Sequence, residues 1–183
     1  ANTDHLHHKL YIVDLATVAT GSLNHSQSSS NSTDENLIMI HDFRLAREYM
    51  KEFHFCMDQT TPGSAPTHED VAPAVVTNLG AVDTLNDLGK SITVSWTGSG
   101  DADLAGYYVY ISRTPINGVQ NLIPEKFVQG ATSTAVTTYN QDDPISNNTD
   151  YYIAVSAVDW HGNENYNCPS TGPVQATGII TGS

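Results

Sequence analysis

Positive charge is scarce in this sequence. Seven Lys and Arg stand against twenty Asp and Glu, giving a formal net charge of −13 over 183 residues. A surface of that sign repels polyanions, so non-specific nucleic-acid binding by this chain alone is disfavoured, as is an anionic membrane surface. No stretch approaches the roughly 20 apolar residues of a membrane-spanning helix, and no leader segment is recognisable. Cysteine is limited to Cys56 and Cys168. In an oxidising compartment these two pair with each other or with cysteines elsewhere; otherwise they are two free thiols.

Apolar residues make up 39 % of the chain, enough for packed cores and too many for a disordered tail. Ser, Thr, Asn and Asp are abundant while Lys is rare, a composition that points to a secreted, extracellular chain of bacterial style. A break falls in "DQTTPGSAPTHEDVAPA", rich in Pro, Thr, Ser and Gly and without a helical or strand period. The expected organisation is a front domain over residues 1–60, a linker over 61–73 and a second domain over 74–183.

The front section reads strand, strand, polar loop, strand, helix. "HKLYIVD" and "NLIMIHD" are apolar on both faces, and "TVATGSLN" lies between them. Asp42 is the expected N-cap of a helix over 43–57, with Leu45, Ala46, Tyr49, Met50 and Phe53 as its buried stripe. A strand apolar on both faces must be covered on both, and three strands with one helix cover only one. About 60 residues is also near the lower limit for an independent core. The front section is therefore expected to be a piece of a larger layered domain.

Residues 74–180 have the rhythm of an all-β sandwich, with strands at "SITVSWTG", "GYYVYIS", "STAVTTY", "DYYIAVSAVD" and "PVQATGI". This section resembles a fibronectin type III domain. Trp96 stands where such domains bury a strand-B tryptophan. Ile145, Asn147, Thr149 and Tyr151 follow the Leu-x-Pro-x-Thr-x-Tyr frame of the tyrosine corner, with Asn147 in the proline position. The resemblance gives Tyr151 a structural role, bonding backbone upstream.

The opening stretch carries the chemistry. His7, Lys9 and Asp14 are spaced His-x-Lys-x4-Asp, and Gly21-Ser22-x-Asn24 follows six residues later. Side chains two apart on a strand face one way. His7 therefore shares a face with Lys9, and Ser22 with Asn24. If the strands form a hairpin, an imidazole, an ammonium, a hydroxyl and an amide converge into a phosphate-shaped pocket. Gly21 removes a side chain where oxygen atoms must come close. Asp14 stands with His7, Lys9 and Asn24 in the expected catalytic set, although on simple alternation it does not share the face of His7 and a structural role in the turn is the alternative.

The whole frame, H-x-K-x4-D-x6-G-S-x-N with "DENLIMIHDFRLAREYMKEF" after it, resembles the signature of the phospholipase D superfamily. The fold class this implies is an α+β fragment of an α/β/α layered domain, followed by the all-β sandwich. The resemblance implies a phosphodiester hydrolase in which two such motifs face each other. One histidine forms a phosphohistidine and the other protonates the leaving oxygen. No cofactor is required, because lysines and asparagines neutralise the phosphate. The motif resembles the second of the two, which makes His7 the general acid. Lys9 and Asn24 would hold non-bridging oxygens with help from Ser22, while Glu35 resembles the acidic residue that bonds the opposite histidine in some members.

This chain holds one such motif, with six residues before His7. The expected partner is an amino-terminal fragment of the same precursor carrying the first motif; the alternatives are a homodimer and an inactive remnant. Phospholipid is the expected substrate. An endonuclease acting on nucleic acid is the alternative enzyme, and a non-catalytic binding or structural chain is the alternative outside catalysis. His5, His7 and His8 lack cysteine and carboxylate ligands at fitting sequence spacing, so no metal is assigned to them. Asp101 and Asp103 offer calcium-type carboxylates, but Asp-rich turns before a strand are ordinary turn chemistry, and calcium is kept only as the lesser alternative. Asn31-Ser32-Thr33 and Asn147-Asn148-Thr149 match the glycosylation pattern and are given little weight.

Overall fold

The computed structural model describes residues 8–24, 34–59 and 71–180. The chain divides into two units, Ala1–His68 and Glu69–Ser183, a division inside the expected linker span. His5, His7, the glycosylation pattern at Asn31 and most of the linker lie outside the described residues.

In the first unit, β1 (Leu10–Val13), β2 (Thr17–Gly21) and β3 (Leu37–His41) form an antiparallel sheet in the order β1-β2-β3. The β1–β2 turn is closed by the Ala16 amide donating to the Val13 carbonyl at 3.0 Å. Asp14 and Leu15 both take positive φ there, 51° and 45°. Val13 pairs with Thr17, so the connection is three residues, Asp14 to Ala16, two of them in the left-handed region. Aspartate tolerates this region and leucine does not; Leu15 offsets the cost by burying its side chain.

Asp42 caps α1 (Phe43–Gln59), its Oδ1 accepting the amides of Arg44 at 2.8 Å and Leu45 at 3.1 Å. The register pairs Leu10 with Thr20, Ile12 with Val18 and Val18 with Ile40, so these side chains share one face. Met50 and Phe53 of α1 meet Leu10 and Ile12 on that face. The opposite face bears Tyr11, Val13, Ala19, Leu37 and Met39. Of these, Tyr11 is 44 % exposed, Val13 51 %, Leu37 49 % and Met39 61 %. The apolar pattern therefore calls for a second cover that the described residues do not supply. Phe53, expected within the core stripe, is itself 44 % exposed, because its contacts are confined to the edge of the sheet.

The second unit is a sandwich. One sheet runs β4 (Thr77–Asp83), β5 (Ile92–Thr97), β8 (Ser133–Val136). The other runs β12 (Ser170–Val174), β11 (Tyr151–Asp159), β6 (Leu104–Ser112), β7 (Lys126–Val128). Val94 and Trp96 of the first sheet and Tyr107, Val109, Ile153 and Val155 of the second interdigitate in one buried core. The indole of Trp96 meets the ring of Tyr107 edge-on, with centroids 5.2 Å apart. Tyr151 is buried and its hydroxyl accepts the Ser146 amide at 3.0 Å, the corner bond that the resemblance implies.

Several strands depart from expectation. β4 was not expected, because Asn78, Gly80 and Asp83 are poor strand residues; Asn78 sits at positive φ where the register with β5 shifts. "STAVTTY" breaks after Val136. Thr138–Tyr139 form a separate short strand, β9, pairing with β10 (Asp143–Pro144) around Asn140 and Gln141 at positive φ. The last strand, expected over 173–179, ends at Val174, because Asp83 captures the amide of Thr177 at 2.8 Å and draws the chain away from β11.

Strand β6 does not alternate either: residues 105–111 are all buried. Its outer face, with Tyr108 and Tyr110, is covered by the loops on either side. These loops are joined by the Val119 amide to the Tyr166 carbonyl and the Ser170 hydroxyl to the Ile116 carbonyl. Beneath them the Glu164 carboxylate accepts the hydroxyls of Tyr110 and Ser156, each at 2.5 Å. Burial, and then the charge of Glu164, push the nearby Cys168 thiol up to about 12.

Two measurements check these packing arguments. Tyr151→Phe should lower stability by about 1–2 kcal/mol in urea unfolding, since the Ser146 amide loses its acceptor. Cys168 should resist iodoacetamide at pH 8.5 in the native state, where a thiol near 12 is only about 0.03 % thiolate, and should react on unfolding. Equal labelling of native and unfolded protein at Cys168 would contradict its half-buried place beside Glu164.

Candidate active site

The hairpin places the two halves of the motif at one end of the sheet. Leu10 pairs with Thr20, so Lys9 enters β1 beside the point where β2 leaves through Gly21. His8, Lys9, Leu10, Thr20 and Gly21 line one depression of about 260 Å³ with Tyr49 and Glu52 of α1. Ser22 and Asn24 follow directly at the same end, both exposed. His7 lies outside the described residues, two positions before Lys9.

The segment after β2 is held by Asn36. The Ser22 amide donates to Asn36 Oδ1 at 2.9 Å, and the Asn36 amide donates to the Ser22 hydroxyl oxygen at 3.0 Å. The Asn36 carbonyl accepts the amides of Ser22 and Leu23 at 3.1 and 3.2 Å. That carbonyl passes so close to Gly21 that any Cβ there would overlap it. The oxygen requiring a glycine at position 21 is therefore one of the protein's own. With its oxygen accepting from Asn36, the Ser22 hydroxyl still has its own proton to donate outward. Glu35, next to Asn36, is brought to the same edge and is half-buried.

Asp14 is not brought there. It lies at the far end of β1, five residues from Lys9 or about 16 Å along an extended strand, and it makes the turn. Lys9, Gly21, Ser22, Asn24 and Glu35 thus gather at one end, while Asp14 belongs to the opposite one.

Asn36, Tyr49 and Glu52 are additions to the expected set. The Asn in "DEN" was the visible signal for Asn36. Tyr49 and Glu52, three apart on the helix, were visible only as neighbours on one face.

Among the described residues, two groups of three metal-ligating side chains have all their ligand atoms within 4.8 Å of one another. They are His8, Glu52 and Cys56, and Asp103, Asp159 and His161. The structure thus finds for His8 the cysteine and carboxylate that sequence spacing did not reveal, because α1 presents them from 44 and 48 residues away. Asp103 faces His161 at 3.5 Å, and both oxygens of Asp159 accept bonds from Asn163, at 2.8 and 3.0 Å. Asp101 accepts the Ser99 hydroxyl and, at 2.9 Å, the Ala74 amide, which in that order hold its carboxyl below the usual range. Both Cys56 and Cys168 are free thiols. Burial, and then the bond to Glu52, raise the Cys56 thiol.

The Asn36 clamp is testable on its own. Asn36→Ala removes the Oδ1 acceptor and should cost about 1 kcal/mol. It should also speed hydrogen exchange at the Ser22 amide, while Asn36→Asp keeps an acceptor and should restore protection. Unchanged exchange in Asn36→Ala would show that the clamp does not order this segment.

Comparison with known proteins follows the same division. Residues 1–57 match the family described as cardiolipin synthase, PLD-like domain. A mitochondrial cardiolipin hydrolase of Xenopus laevis is 32 % identical over 63 residues, 34 % of this chain and 30 % of that protein. The chain therefore spans less than a third of that relative's length. Among solved structures, the Clostridium perfringens spore cortex lytic enzyme SleM covers 54 % of this chain and 27 % of its own, at 22 % identity and a TM-score of 0.41. An Fn3-like protein from Clostridium thermocellum covers 61 % of this chain and all of its own, at 23 % identity and a TM-score of 0.40. The sandwich assignment rests on the three-plus-four strand order, the buried Trp96 and the Tyr151 corner. Residues 1–57 are a phospholipase D-like segment, and the unit that follows is a fibronectin type III-like sandwich.

Proposed function

We propose that the chain supplies one of the two motifs of a secreted phosphodiester hydrolase acting on phospholipid. The observation that carries this reading is the spacing from His7 to Asn24, together with the hairpin register that gathers Lys9, Ser22 and Asn24 at one end of the sheet. A cation, a hydroxyl with its proton free to donate and an amide suit the non-bridging oxygens of a phosphate. In this reading His7, two residues before Lys9 in the sequence, donates a proton to the leaving alcohol oxygen while the histidine of the second motif attacks phosphorus. Water then gives one proton back to His7 as its oxygen attacks the phosphohistidine, which breaks the phosphorus–nitrogen bond, restores both histidines and releases the phosphate product. Every charge that develops is met by side chains of this kind, so the reading calls for no cofactor.

The second motif comes from another polypeptide segment, and the reading takes an amino-terminal segment of the same precursor as the partner. Its support is the exposed face of Tyr11, Val13, Leu37 and Met39, which has the character of an interior surface. A zwitterionic phospholipid such as phosphatidylcholine is favoured over nucleic acid by the net charge of −13, which repels polyanions and anionic surfaces alike. The names of the matched family and relative also refer to cardiolipin, a phospholipid. The sandwich unit serves as a spacer or docking module, outside the chemistry.

The test assembles this chain with a segment carrying the other motif and measures phosphatidylcholine hydrolysis beside plasmid nicking. Lipid turnover without nicking is expected. His7→Ala should reduce it by at least about 100-fold, the lower end for loss of a general acid. Lys9→Ala should reduce it by about 100–1000-fold. Nicking without lipid turnover would replace the substrate class, and full activity in His7→Ala would overturn the role of the motif.

A further inference from the structure

We propose that His8, Glu52 and Cys56 form a binding site for a zinc-class divalent cation that pins α1 to the entrance of β1. Imidazole nitrogen, carboxylate oxygen and thiolate sulfur are the three donor types zinc takes, whereas calcium and magnesium select oxygen alone. The site draws on two elements: Glu52 and Cys56 are four apart on one face of α1, and His8 comes from the residue pair before β1.

The spacing fits the ion. With zinc–sulfur near 2.3 Å and zinc–oxygen near 2.1 Å, two ligands on one tetrahedral ion stand about 3.6 Å apart. Cys56 Sγ and Glu52 Oε1 are 3.5 Å apart, and the His8 ligand atom lies within 4.8 Å of both. Side-chain rotation by about 1 Å, small for exposed His8 and Glu52, closes the remaining gap. A thiolate and a carboxylate neutralise a divalent ion, so the occupied site is itself neutral beside Lys9. Binding displaces the Cys56 thiol proton to solvent. Three protein ligands leave a fourth position for water. His8 adjoins Lys9, and Glu52 lines the same depression. An ion here would therefore fix the backbone of the residues that carry the motif.

The experiment is a titration of the full 183-residue chain, reduced and metal-free, with Co²⁺ as an optical stand-in for Zn²⁺. One equivalent should bring up a thiolate-to-cobalt charge-transfer band in the near ultraviolet, which Zn²⁺ then abolishes by displacement. The band should vanish in Cys56→Ser and persist in Cys168→Ser. Zn²⁺ affinity should fall at least about 100-fold in Glu52→Gln and in His8→Ala, beyond the range for outer-shell partners. Absence of the band, its dependence on Cys168 instead of Cys56, or unchanged zinc affinity in both Glu52→Gln and His8→Ala would each overturn the site. The readout is binding, so it stands or falls separately from the phosphodiesterase reading.

Discussion

A three-stranded sheet that is apolar on both faces, with one helix to cover it, is the constraint on which the account of the first unit depends. Its helix side closes around Val18, Leu15 and Ala46, all buried. Its other side presents Tyr11, Val13, Leu37 and Met39 to solvent. Four large apolar side chains on a flat sheet are costly to hydrate, at about 25 cal/mol for each Å² left uncovered. In the proposed reading Lys9 and His7 make half of the acid–nucleophile pair that phosphoester cleavage through histidine uses. On that reading packing and chemistry make the same demand, a second set of elements against this one.

The second unit makes no such demand. Both faces of its four-stranded sheet are covered, the inner by β4, β5 and β8 and the outer by loops folded over Tyr108 and Tyr110. Several of its buried polar groups are answered locally, Glu164 by two hydroxyls, Asp159 by Asn163 and the Tyr151 hydroxyl by the Ser146 amide, while the buried indole nitrogen of Trp96 has no hydrogen-bond partner among the described residues. Such a module supports itself.

Much of this was legible in the sequence wherever local chemistry dictates structure. The Asp42 cap, the helix it starts, the inward Trp96 and the Tyr151 corner all follow from short patterns. The two-faced hydrophobicity of "HKLYIVD" and "NLIMIHD" announced an incomplete layer. Legibility failed where distant groups decide. Asn78 and Gly80 hide β4, since only pairing with β5 makes that segment a strand. Asp83 ends β12 from more than 90 residues away in sequence. The outer burial of β6 depends on loops that carry no period of their own. At the candidate site, Lys9 to Asn24 could be read from spacing, but Glu52 and Cys56 could not, because only the α1–β1 packing brings them to His8.

Phosphodiester turnover as a function of chain concentration, with and without a polypeptide carrying the complementary motif, tests the central claim most directly. The account predicts no turnover from the isolated monomeric chain and its appearance on adding the complement, saturating at one-to-one stoichiometry. Turnover strictly proportional to the concentration of the solitary monomer would contradict it.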